Sequence, residues 1–137
     1  MRDKHPDKKN AQSILEASEK QMRYTLTLEP TDESAFNIIR NIYECFRMIG
    51  DALLVFKGKK SEDHIEQVKV LESLKVKTER PIKLVDNLRR MRHNINYYGY
   101  SPGKIEAEDA ISLVKSCFFQ LLSKAKEEIK ITEESLK

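Results

Sequence analysis

Apolar residues recur along this chain at intervals of three and four, the period of an amphipathic helix, and nowhere alternate for long enough to mark a strand. Ala11, Ile14, Leu15, Ala17, Met22, Leu26 and Leu28 give a first helix that begins near Lys8 and ends before Pro30. Thr31 or Asp32 then supplies an N-cap, and Asp32 and Glu33 suit the positive end of the next helix dipole. The second helix, over residues 33–56, is the most apolar. Phe36, Ile38, Ile39, Ile42, Tyr43, Cys45, Phe46, Met48, Ile49, Ala52, Leu53, Val55 and Phe56 cover more than one of its faces, which places it at the centre of the fold. Arg40, Glu44, Arg47 and Asp51 fill the remaining strip at i+4 and i+3 spacing, which reads as a solvated ladder of opposite charges worth a few tenths of a kcal/mol per pair before it reads as a site, with Arg47 kept as the candidate for the second.

The run Lys57, Gly58, Lys59, Lys60 ends that helix, with a glycine free to take a left-handed cap and cations at the negative end of the dipole. Ser61, Glu62 and Asp63 restart a short third helix, carried to about residue 74 by Ile65, Val68, Val70, Leu71 and Leu74. A charged linker follows over 75–80. Pro81 suits the first turn of a fourth helix, in which Leu84, Leu88, Met91 and Ile95 form a core-facing stripe. Gly99, Tyr100, Ser101, Pro102 and Gly103 break it. The last helix spans about 106–131 on Ala107, Ala110, Ile111, Val114, Cys117, Phe118, Leu121, Leu122, Ala125 and Ile129. The expected fold is all-α: an up-and-down bundle of four to five helices in a single domain, 1–137, with residues 1–7 and 132–137 as frayed ends. The second helix is expected against the fourth and fifth, and helices this rich in apolar surface also allow a dimer.

Composition narrows the function classes. The 25 Lys and Arg residues outnumber the 22 Asp and Glu by three, too few for a general nucleic-acid coat, so any basic patch must be local. Cys45 and Cys117 lie far apart, each in an apolar helical pattern, and read as buried thiols in a reducing compartment rather than a bridge. No apolar run approaches the roughly 18–20 residues of a membrane span, and residues 1–10 are charged, so the expected location is cytoplasmic. The four glycines are scattered, giving no phosphate loop. His64 lacks a His, Cys or paired carboxylate at ligand spacing, so neither a metal nor a cofactor is expected. Glu62, Asp63, Glu66 and Glu72 argue against the third helix as a DNA-recognition helix.

Polar chemistry concentrates in residues 88–100. On an ideal helix Arg92 falls at the rim of the apolar stripe, with Asn96 one turn on and Arg89 one turn back, while His93 and Tyr97 occupy the next row. Two guanidinium groups and a carboxamide at the edge of a core hold anions more tightly than an open face does, and phosphate is the obvious anion. The same residues also fit a plainer role: arginine stems laid over the core with their heads in water, and an asparagine near a helix end acting as a cap.

A long central apolar helix, a short helix after a Gly-Lys turn, Leu88-Arg89 and Arg92 near the end of the fourth helix, a Gly-Pro break and an Ala-rich last helix together resemble the HEPN family over nearly the whole domain. Arg92 aligns with the family arginine. Tyr97 stands where the ribonuclease members usually carry histidine, and His93 where an asparagine often follows the arginine. The chain looks more like members that read Arg, three residues, Asn-Tyr-Tyr-Gly, here Arg92, Asn96, Tyr97, Tyr98 and Gly99. The resemblance implies a homodimer whose motif helices meet around a cleft, and in active members metal-independent RNA cleavage, often opposite a nucleotidyltransferase-type antitoxin. Three functions follow as expectations. The first is a nucleotide- or RNA-binding domain with weak or absent nuclease activity, using Arg89, Arg92, Asn96 and Tyr97. The second is a protein-interaction or dimerisation module. The third is an active ribonuclease using Arg92 with His93 or Tyr97, where a phenol of ordinary pKa near 10 is a poor base at pH 7.

Overall fold

The structure is a computed structural model and describes residues 2–3, 7–60, 64–74, 76–78 and 82–135. Its helices are α1 (Lys8–Thr25), α2 (Ala35–Phe56), α3 (His64–Lys69), which tightens into a 3-10 turn at Val70–Ser73, α4 (Leu84–Tyr98), α5 (Lys104–Leu113) and α6 (Phe119–Ser135). The π-helical turn Val114–Phe118 joins α5 to α6, so the last helix runs unbroken from 104 to 135. The chain is an all-α bundle, with the order of helices that its periodicity predicts.

α2 holds the centre because its apolar positions leave almost no polar face. Ile38, Ile39, Ile42, Tyr43, Cys45, Phe46, Ile49 and Leu53 are all fully buried. It packs on α4 and on α5 and α6, as expected, and its longest interface is with α1. There Ala11, Leu15 and Met22 of α1 are buried, and the Ser18 hydroxyl donates to the Cys45 carbonyl at 2.9 Å. Across the bundle Phe46 meets Phe118 edge to face at 5.2 Å, and Phe118 packs the same way on Phe119. Lys126 of α6 pairs with Glu19 of α1 at 2.7 Å; this bond, ahead of the one from Arg23, holds the Glu19 carboxyl below its ordinary range.

The helix ends depart from expectation in instructive ways. α2 starts at Ala35, after Ser34, and neither Thr31 nor Asp32 is its N-cap residue. Thr31 and Ser34 instead bond each other: the Ser34 N–H donates to Thr31 Oγ1 at 3.0 Å and the Thr31 N–H to Ser34 Oγ at 2.9 Å, closing a turn ahead of the helix. Asp32 is thereby released, and its carboxylate accepts the Lys104 N–H at 2.7 Å, an acidic group placed at the positive end of α5. The last helix begins at Lys104 rather than near 106 and continues past 131. Residues 1–7, expected to fray, supply Arg2–Asp3 (β1), which pairs antiparallel with Lys59–Lys60 (β2), and Asp7, whose carboxylate caps α1 through the Asn10 N–H at 2.9 Å. The expected restart at 61–63 and Pro81 lie outside the described residues.

α3 approaches α2 at Gly50, where a Cβ would fall 1.8 Å from the Gln67 carbonyl oxygen, so only glycine allows this crossing. α4 is more weakly covered than its stripe predicts. Val85 and Leu88 are buried, but Leu84, Met91 and Ile95 are only partly so, because α4 packs at the bundle's edge, mainly on α2. α4 ends at Gly99, left-handed at φ 65°, and the Asn94 carbonyl accepts the N–H groups of both Gly99 and Tyr100. Cys45 and Cys117 are both buried, and they are not bridged in a disulfide. Among the described residues no helix is long and apolar enough to cross a membrane.

Candidate anion-binding site

The edge position of α4 gives its polar flank a neighbour that the sequence does not announce. Arg92 lays its guanidinium over the ring of Tyr43 on α2, 5.6 Å from the ring centroid and within the range of a cation–π contact. Tyr43 is fully buried. Burial pushes its phenol up to about 12, against the opposing pull of Arg92, Arg47 and Arg89. The Glu44 carboxylate adds to that rise. Arg89 and Arg92 share a face because they lie three residues apart on a helix, and Arg47 joins them one turn beyond Tyr43 on α2.

The three arginines differ in what holds them. Arg47 is 19% exposed and clamped by Glu44, which takes bonds from its Nε at 3.0 Å and from its Nη2; this pairing outweighs burial and raises the Arg47 pKa. Arg89 donates from Nε to Asp86 at 2.7 Å, which holds that carboxyl below its ordinary range, and Arg90 reaches the same carboxylate at 3.1 Å. Arg92 has no carboxylate partner among the described residues. One side of its charge is desolvated by an aromatic face, leaving its N–H donors for an anion, and the planar fork matches a phosphate.

The remaining sequence candidates lie further along α4. Asn96, one turn beyond Arg92, is exposed. His93 occupies the next row, as helical spacing predicts, and packs against Tyr97 with ring centroids 4.6 Å apart and planes tilted by 36°, and edge-on against Tyr98 at 5.7 Å. Tyr97 and Tyr98 are 72% and 76% exposed. The helix is regular through this region, so nothing in its backbone turns the His93 imidazole toward Arg92. Tyr100, past the break, donates to Glu106 at 2.5 Å, and the same carboxylate accepts the Gly103 N–H at 3.2 Å. Among the described residues no cluster of His, Cys, Asp or Glu is arranged to hold a metal.

The apolar pattern places Tyr43 in the core, where it is buried, but does not announce the Arg92 guanidinium over its ring; Glu44 and Arg47 form the i, i+3 pair that their spacing predicts. A phenol among aliphatic positions, flanked by a carboxylate and followed one turn later by an arginine, was the available signal. Beside α4, a groove of about 500 Å³ against α3 is lined by Lys69, Glu72, Lys83, Asp86, Arg89 and Arg90 among others, so charges of both signs continue past Arg89. No known family, curated protein or solved structure matches the chain.

Proposed function

We propose that this chain is a HEPN-like helical domain that binds the phosphate of a nucleotide or an RNA at Arg92 and has weak or no nuclease activity. The observation that carries the reading is Arg92 lying over the Tyr43 ring with no carboxylate partner among the described residues, whereas Arg47 and Arg89 each pair with one. Such a surplus of fixed positive charge at a half-covered edge is a standing invitation to an oxyanion. Weak or absent cleavage fits the residues at hand. The phenol beside Arg92 is protonated at neutral pH, and the imidazole of α4 packs on Tyr97, away from that guanidinium's row. A homodimer and a nucleotidyltransferase-type partner belong to the same proposal and rest on the resemblance.

The test is binding of labelled RNA and of mononucleotides to the wild-type chain, Arg92→Ala and Arg92→Lys, with folding checked by circular dichroism and size by light scattering. Arg92→Ala is expected to weaken binding about tenfold or more, the ~1.5–3 kcal/mol of a charged hydrogen bond. Unchanged affinity in a folded Arg92→Ala refutes the reading. The cation–π contact favours one second reading, in which Arg92 braces Tyr43 within an interaction module. Dissociation of a dimer by Arg92→Ala, without a change in binding per chain, selects it.

A further inference from the structure

A cleft of about 900 Å³ opens between the turn after α1 and the last helix, and none of Tyr43, Arg47, Arg89 or Arg92 lines it. Its floor is apolar, with Leu26, Leu28 and Ile111 half-buried against the core. Its rim is polar. Among the described residues Lys77 and Lys115 line it against a single carboxylate, Glu108, and neither lysine has an ion-pair partner. Glu108 and Lys115 stand seven residues apart on the helix, about 10 Å along its axis, too far to neutralise each other.

The last helix builds one wall of this cleft in an uncommon way. Glu108, Ser112, Ser116 and Gln120 line it at steps of four residues. On an ideal α-helix each such step drifts by about 40°, so three steps would carry Gln120 about 120° around the axis and out of the cleft. The π-helical turn Val114–Phe118 falls inside this run, rotates less per residue and takes back part of the drift. Side chains of the same wall brace the turn: the Ser116 hydroxyl donates to the Leu113 carbonyl at 2.9 Å, and Gln120 Nε2 donates to the Ser116 carbonyl at 3.2 Å. Single π-helical turns are rare and recur at functional sites. Here the turn keeps four polar residues on one cleft and holds two of them in place, so less ordering opposes a ligand.

Two lysines against one carboxylate leave the rim with one net positive charge above an apolar floor. The matching ligand has an apolar body and one negative head, and the volume suits a small molecule. A phosphate chain would find no arginine fork here and far too little positive charge. We infer that this cleft binds an amphipathic monocarboxylate of the size of a medium-chain fatty acid, with its chain over Leu26, Leu28 and Ile111 and its carboxylate at Lys115 and Lys77. The site is separate from Arg92 and does not depend on what binds there.

The experiment titrates the full chain with decanoate, with decanol and with decyl phosphate, followed by calorimetry and by amide NMR. Decanoate is expected to bind most tightly and to give its largest shifts at residues 26–28 and 111–120. Lys115→Ala, at an exposed position, is expected to weaken decanoate at least about fivefold and to leave decanol unchanged, while Lys115→Arg keeps the affinity. Ser112→Asp, also at an exposed position, sets a second negative charge in the wall and is expected to weaken decanoate as well. Absence of decanoate binding, equal binding by a folded Lys115→Ala, or largest shifts outside the cleft overturns the inference. Decanol binding as tightly as decanoate identifies a plain apolar site, and tighter binding of decyl phosphate a phosphate site; either result also overturns it. None of these results bears on the Arg92 reading, which stands or falls on RNA and nucleotide binding by Arg92→Ala.

Discussion

Replacing Gly50 by alanine puts one methyl group where α3 crosses α2. The added Cβ would lie 1.8 Å from the Gln67 carbonyl oxygen, 2.7 Å from the carbonyl carbon and 3.2 Å from the Cα. Ordinary contact begins at 3.4 Å, so the 1.8 Å available leaves α3 about 1.6 Å to retreat. The obstacle is backbone, which cannot swing aside as a side chain does. Retreat opens the seam that buries Val68 and Leu71 and stretches the bond from Gln67 Nε2 to Asp51, already 3.3 Å long. Overpacking of this kind costs ~1–3 kcal/mol, and a forced backbone shift sits at or above the top of that range. Alanine's better helix propensity returns ~1 kcal/mol. A net loss of about 2 kcal/mol is therefore expected, a sizeable part of the ~5–15 kcal/mol that holds a domain folded. Urea unfolding followed by far-UV circular dichroism should place the Gly50→Ala midpoint about 1 M below wild type with an unchanged slope. A midpoint equal to or above wild type refutes the reasoning. So does recovery of stability on adding Gln67→Ala, since that change removes the side chain and leaves the backbone oxygen in place.

Two further outcomes follow from burial and pairing. The Cys45 thiol is pushed up to about 12 by burial and Cys117 is equally enclosed, so a disulfide reagent at about pH 8 should label neither in the native chain and both in urea; fast labelling of either native thiol contradicts the packing. Asp86 is held below its ordinary value of 3.8 chiefly by Arg89, so its contribution is present above 3.8 and fades as the pH falls through the lower folded value. Asp86→Asn should cost under about 1 kcal/mol at neutral pH, with the gap to wild type closing in acid; a gap that stays constant with pH, read from urea midpoints, rules the pairing out.

Much of the fold could be read from local pattern. The apolar period located each described helix to within a few residues, the breadth of the apolar face put α2 in the middle, and Gly99 ended α4 where the helix stops. Helix spacing also set His93 on Tyr97 and Arg89 on the side of Arg92. The π-helical turn at Val114–Phe118 left no such mark, because the residues around it keep an ordinary helical alternation of apolar and polar positions. Asp32 looked like a cap for the helix beside it and instead caps α5 through Lys104, 72 positions away. The candidate site shows the same division. Its α4 half was legible as a cationic flank, but its α2 half was hidden, since Tyr43 looks like any core residue until α4 lays Arg92 across its ring.

What the sequence determined by itself is the set of helices, their apolar faces and the row on which each α4 side chain stands, because side-chain direction follows backbone period and needs no distant partner. Only the tertiary structure decided which faces meet: that Gly50 admits α3, that Asp32 crosses to α5, and that α4 lays Arg92 over a buried phenol of α2. Those choices depend on packing between residues far apart in the chain, where shape and charge are judged jointly across an interface and no local period records the outcome.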